Sequence, residues 1–230
     1  MMKLMKLELQ KFNILRYWIA FAVINVSIIG LAVVTGTVAD TEDAFGTAAQ
    51  LLDFGDIMIR VTFIIFAGVL IAKVIIGEYK NSTMGLMFTY PIPRKKIMAS
   101  KLAVVFLFTF FATILANLIF GFGMVLLNQS FHLIPDMIMI RDIVSRVPSM
   151  IFNGFACAGL GLISLFFGMR KYSISATIVS SIIVAILLNS SSGVEMNTLF
   201  SITVIPVIFC IGGIIIAYLS FANINKADIK

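Results

Sequence analysis

The sequence predicts an all-α integral membrane protein with six transmembrane helices. Three observations carry this reading. Of the 230 residues, 60% are hydrophobic and 12% are charged, and a water-soluble domain has no place to hide so many apolar side chains. The apolar residues gather into six runs, each near the about 20 residues that a helix needs to cross a bilayer. The charges fall between the runs, with most cations on one side and most acids on the other.

The chain opens with MMKLMKLELQKFNILR, residues 1–16. Lys3, Lys6, Gln10 and Asn13 share one helical face, and Met1, Met5, Leu9 and Phe12 share the other. Glu8 and Lys11 interrupt the pattern without erasing it. Such a segment is expected to lie as a helix in the membrane interface. The expected spans are 17–39, 57–77, 102–127, 147–169, 172–190 and 198–221. The first is too long for a signal-peptide core, and TVAD at 37–40 is a poor cleavage site. The second carries Arg60 and Lys73 near its two ends, where each side chain is expected to snorkel to its own interface. The fourth holds Gly154, Ala156, Ala158, Gly159 and Gly161, which permit close helix approach. Pro206 is expected to bend the sixth. Cys157 and Cys210 lie inside apolar runs and read as buried thiols acting as small hydrophobes.

With the N-terminus inside and six alternating helices, the cytoplasmic side holds Lys3, Lys6, Lys11, Arg16, Lys73, Lys80, Arg94, Lys95, Lys96, Lys101, Arg170, Lys171, Lys226 and Lys230. The outer side holds Arg60, Arg141 and Arg146. Fourteen cations against three sets this orientation by the positive-inside rule. Asp40, Glu42, Asp43, Asp53, Asp56, Asp136, Asp142 and Glu195 fall outside, in loops or at span ends. The basic residues are scattered between apolar runs, so the net charge of +6 gives no reason to expect nucleic acid.

Residues 77–101, GEYKNSTMGLMFTYPIPRKKIMASK, then face the cytoplasm between spans two and three. Residues 78–88 can form a short helix. Tyr90 and Ile92 each precede a proline, which turns them toward extended geometry and ends that helix. From Arg94 the chain can restart as a helix and run unbroken into the third span. On the residues alone, an ordinary positive-inside loop is an equal alternative.

This stretch resembles the first cytoplasmic loop of type 2 ABC transporter permeases, a family that includes bacteriocin-immunity and peptide-toxin exporters. Glu78 and Thr83 match its first part. Pro91–Arg94 (PIPR) matches its second, with Pro93 where Ser or Thr is usual, and Lys101 supplies the closing lysine. The six-span layout with both termini inside extends the resemblance along the chain. It implies that the loop is a coupling helix docking into a cytoplasmic ATPase, with Glu78, Tyr79, Thr83, Leu86, Phe88, Pro91, Pro93, Arg94 and Lys95 as the coupling residues. It also implies a second permease chain, identical or not, a bacterial plasma membrane and an amphipathic cargo such as a hydrophobic or antimicrobial peptide or a lipid. Larger members place a re-entrant helical pair between spans five and six. Here only SSGVEMN separates them, and the 128–146 loop is expected to take its place.

No P-loop motif is present, so the chain is expected to bind no cofactor of its own, with ATP and Mg on a partner ATPase. No zinc-protease or nucleophile-elbow motif occurs, and His132 is a lone histidine in an outer loop. An enzyme is therefore not expected. Lys73 stands as the one ionisable group well inside a span, poorly spaced to pair with Glu78. Asp142 and Arg146 are spaced to pair with each other along a short surface helix within 128–146. Two other readings stay open: an ion-driven secondary transporter or channel, and a non-transporting membrane scaffold.

Overall fold

A computed structural model of the chain describes residues 14–38, 47–80, 94–131, 139–171, 173–189 and 204–222. Its elements are helices throughout: α1 (Ile14–Val38), α2 (Ala48–Ile71, continued by a π turn at Ala72–Ile76 and α-helix at Gly77–Lys80), α3 (Arg94–Phe131), α4 (Ile140–Lys171), α5 (Ile174–Asn189) and α6 (Val204–Ala222). Within these helices four stretches are long and apolar enough to cross a membrane: Tyr17–Thr37, Ala48–Ile76, Lys96–Ser130 and Ile140–Arg170. α5 is apolar but only 16 residues long. The expected interfacial helix falls almost entirely on residues 1–13, outside the described part.

Local chemistry sets the helix starts. Thr47 is extended (φ −140°, ψ 154°), and its hydroxyl accepts from the Gln50 N–H at 3.4 Å, capping α2. Asp142 accepts from the Met139 N–H at 3.0 Å, so its carboxylate closes the first turn of α4. Ser173 caps α5 by accepting from the Ala176 N–H at 3.4 Å. Pro148 lies inside α4, eight residues beyond its start at Ile140. There the helix forgoes one backbone hydrogen bond without ending. Pro206 lies in α6, and the residues before Val204, where a bend of the sixth run would enter, lie outside the described part.

α2 and α4 are the centre of the bundle. In their most apolar windows 72% and 67% of residues are buried, against 28% for α1, which packs chiefly on α2 and α3 among the described residues. Contacts between named residues fix the helix directions. Gly55 of α2 meets Phe120 of α3, while Glu78 meets Lys101, so the two run antiparallel. Asp53 meets Arg146, and further along Ala67 meets Gly161, so α4 runs parallel to α2. Tyr17 meets Phe108 and Ile29 meets Gly123, so α1 runs parallel to α3. Gly68 meets Ser181, and Ile64 clusters with Ala185, so α5 runs against α2.

Aromatic rings knit α1, α2 and α3. Phe21 stacks edge-on against Phe63 at 5.9 Å, and Phe66 meets Phe108 at 6.1 Å. On the far side of α4, small residues replace rings. A side-chain carbon added at Gly159 would lie 2.5 Å from Cys210 Cα, and one at Gly213 would strike the Gly159 carbonyl. The close approach expected of Gly154, Gly159 and Gly161 is present at all three. Gly154 receives Phe110 and Ile114 of α3, and Gly161 receives Ala67. Buried hydroxyls in this core satisfy themselves on the preceding turn: Thr109 donates to Val105 O at 2.8 Å, Thr113 to Thr109 O at 2.8 Å and Ser164 to Gly161 O at 2.8 Å.

Three sequence expectations change. The second helix begins at Ala48 rather than near residue 57, because Thr47 caps it and the polar turn with Asp53 and Asp56 stays helical. The 128–146 region holds no separate surface helix among its described residues. α3 continues to Phe131, and the residues from Ile140 are the first turns of α4. Arg60 is buried, only 5% exposed, so its side chain is covered by the neighbouring helices rather than lying free on the surface of α2. Lys73 is exposed, as expected of it.

Candidate functional site

The charged side chains of the bundle gather at its two ends. At one end α2 leaves the bundle and α3 enters it. The π turn Ala72–Ile76 and the short helix Gly77–Lys80 carry α2 to this point. There Glu78 Oε2 lies 2.9 Å from Lys101 Nζ, with Lys101 fully buried and the Glu78 side chain 16% exposed. An ammonium with no access to water is tolerated only when a carboxylate faces it. This ion pair therefore fixes where α2 ends relative to where α3 begins, and so holds the two anchors of the segment between Lys80 and Arg94. Sequence spacing places Glu78 and Lys101 in one motif but gives no sign that they touch.

Of the other expected coupling residues, Tyr79 lies in the last turn of α2, and Arg94 and Lys95 open α3. Thr83, Leu86, Phe88, Pro91 and Pro93 lie outside the described residues. From Arg94, the first described residue after Lys80, α3 runs unbroken into the third apolar run, as expected of that stretch.

At the opposite end Arg146 of α4 reaches α2. Its Nη1 donates to Asp53 Oδ1 at 2.6 Å and lies 3.5 Å from Asp56 Oδ2. Its Nη2 donates to the Ala49 carbonyl at 3.2 Å. The expected pairing of Asp142 with Arg146 is thus replaced. Asp142 caps its own helix, and Arg146 crosses to two acids that offer more negative charge than Asp142 alone. Four residues beyond Asp56 lies Arg60, within electrostatic range of Asp56, Asp53 and Cys157. Asn153, seven residues beyond Arg146 on the same face of α4, is buried with its Oδ1 unpaired. Asp53 and Asp56 are therefore helical residues within the long apolar stretch Ala48–Ile76, not loop residues, and Lys73 is not the sole ionisable group there. The spacing Asp53, Asp56, Arg60 places all three on one helical face. That signal was available in the sequence once Thr47 is read as a cap.

Two acids and two guanidinium groups balance, which makes this end a clasp between α2 and α4. Arg146→Gln is expected to lower thermal stability by about 1–3 kcal/mol, between the values for exposed and buried pairs. Adding Asp53→Asn alone to the same variant should remove much of that loss, because one acid, Asp56, then remains to balance the buried Arg60. Thermal unfolding of the full chain in detergent reads both. Among the described residues no group of His, Cys, Asp or Glu is arranged to hold a metal ion. The two cysteines are free and buried.

Residues 4–189 match the family model described as "ABC-2 family transporter protein". The chain is also 34% identical over 230 residues to "Uncharacterized protein YcbO" of Bacillus subtilis (strain 168), an alignment covering 99% of this chain and 100% of that relative. No solved structure matches. With most of its length matched by that model and an apolar helical bundle to accommodate it, the chain belongs to the ABC-2 transporter family, whose members are membrane subunits that work with a separate ATPase chain.

Proposed function

We propose that this chain is the permease subunit of an ATP-driven exporter in a bacterial plasma membrane. In this reading all six helices cross the bilayer, both termini are cytoplasmic, and two permease chains face each other to form the route. The segment 78–96 is the coupling element that receives a cytoplasmic ATPase, which holds the ATP and Mg. Glu78, Tyr79, Thr83, Leu86, Phe88, Pro91, Pro93, Arg94 and Lys95 make up that element. The cargo is amphipathic, of the hydrophobic or antimicrobial peptide type or a lipid. The support for cargo class is the nearly uncharged surface of the helices, which offers lipid-like surroundings and little to select an ion.

The Glu78–Lys101 pair is the observation that carries this reading. A displacement imposed on a loop reaches the membrane helices only if the loop's ends are fixed to them. A buried ion pair joining α2 to α3 at that point supplies a rigid joint. Reversing charge at Arg94 and Lys95 is expected to reduce recovery of the ATPase on affinity purification in mild detergent by about tenfold, matching the about 1.4 kcal/mol that a lost charged contact can carry. Undiminished recovery would place the docking surface elsewhere.

An ion-driven carrier is the second reading, and Asp53 and Asp56 within α2 are the observation in its favour. Arg146 and Arg60 beside them leave no net charge to attract a coupling ion, which favours a structural clasp. Transport from the purified chain alone, driven by an ion gradient, would select this reading.

A further inference from the structure

We propose that the outer half of the α2–α4 seam holds buried water down to the level of Cys157, with a bridging site between Arg60 and Asn153. The register of the two helices places these residues. Asp53 and Arg146 pair across a separation of 93 residues. Ile64 and Cys157 share a buried cluster at the same separation. Arg60 and Asn153 lie between those two contacts and keep that offset, so they stand level. Each is seven residues inward of its helix's clasp residue, Asp53 or Arg146. Two turns of α-helix return to the same face, so the guanidinium and the amide look into one seam. Further in, the seam turns apolar, with Ile64, Leu160 and the contact of Ala67 with Gly161.

Both side chains are buried, Arg60 at 5% and Asn153 at 8% exposed. The Asn153 Oδ1 nonetheless accepts no hydrogen bond. A buried acceptor left so costs about 1–3 kcal/mol, while Arg60 brings five N–H donors to the same level. A donor group and an acceptor that stand level without bonding are what a bridging water joins. The seam offers the several polar partners that a buried water needs. The guanidinium lies on one side and the amide on the other. The Cys157 thiol is one turn further in, within electrostatic range of Arg60. Asp56, one turn from Arg60, offsets its charge, so the occupant is neutral water rather than an anion. The way in is short. At the outer end the Asp53 side chain is 39% exposed and that of Arg146 22%, and seven residues of α4 carry Arg146 to Asn153 over about 10 Å.

The Cys157 thiol reports on this water, because an S–H group exchanges with D2O only where water reaches it. The chain has two cysteines. Cys210 lies against Gly159, two residues from Cys157, so the two thiols sit at nearly the same depth. Cys210→Ser isolates the Cys157 S–H, and Cys157→Ser isolates that of Cys210. With the full chain in lipid nanodiscs, the infrared S–H band is followed after transfer into D2O. Cys157 is expected to exchange at least about tenfold faster than Cys210. Asn153→Leu, made in the Cys210→Ser chain, replaces the acceptor with methyl groups and should slow the Cys157 exchange by about tenfold. Equal rates for the two thiols overturn the site. So does a Cys157 rate unchanged by Asn153→Leu in a chain that still elutes as one species. The comparison of the two thiols leaves Asn153 intact, so it decides the matter where the leucine variant fails to fold. Neither measurement needs an ATPase, so the site stands or falls apart from the export role.

Discussion

Glu78→Ala is expected to lower the stability of the chain by about 3 kcal/mol or more, the largest effect of any single exposed-to-part-buried position. Lys101 has no exposed surface. It would lose the carboxylate that lies 2.9 Å away, and breaking a buried pair from one side commonly costs about 3–5 kcal/mol. The exchange Glu78→Lys with Lys101→Glu should recover most of the loss, since the pair is restored with its sense reversed. A neutral replacement of both should also be milder than either single change. Thermal unfolding of the full chain in detergent, read for the two singles and the exchange, measures this directly. Equal losses in the exchange and in Glu78→Ala would show that the pair is not what joins α2 to α3.

Gly213→Leu carries the second largest expected effect. Here backbone meets backbone: a Cβ at 213 would strike the Gly159 carbonyl, and the Cα of Cys210 already blocks the reverse approach. Backbone cannot step aside as the end of a side chain can, so α6 must move off α4. The loss is expected at or above the upper end of the roughly 1–3 kcal/mol typical of overpacking. Gly212 makes the control, because nothing lies within 4 Å of a Cβ built there. Gly212→Leu should leave unfolding unchanged, and a fall equal to that of Gly213→Leu would contradict the packing described.

Both sites were partly legible in the sequence. The apolar runs gave the order of the helices, because burial in lipid requires about 20 apolar residues in succession and little else. The small residues of the fourth run pointed to close approach, and Gly154, Gly159 and Gly161 all serve it. The start of α2 was hidden. Asp53, Gly55 and Asp56 interrupt the apolar run, and only the cap at Thr47 marks that the helix continues through them. Arg146 illustrates a deeper limit. Periodicity shows which residues share a face of one helix, and so suggests Asp142 as a partner four residues away. It says nothing about which other helix that face meets, and the actual partners lie 93 and 90 residues distant. The pairing of Glu78 with Lys101 was hidden for the same reason. The π turn was hidden more completely, since an inserted residue alters register without altering composition.

Motor dependence is the property to measure. The chain, purified from its native membrane in mild detergent with whatever ATPase accompanies it, can be placed in liposomes loaded with a fluorescent amphipathic peptide. Movement of the peptide that requires ATP and the accompanying ATPase, and that stops when this ATPase is stripped away, is the expected result. Undiminished movement from the stripped chain would contradict it.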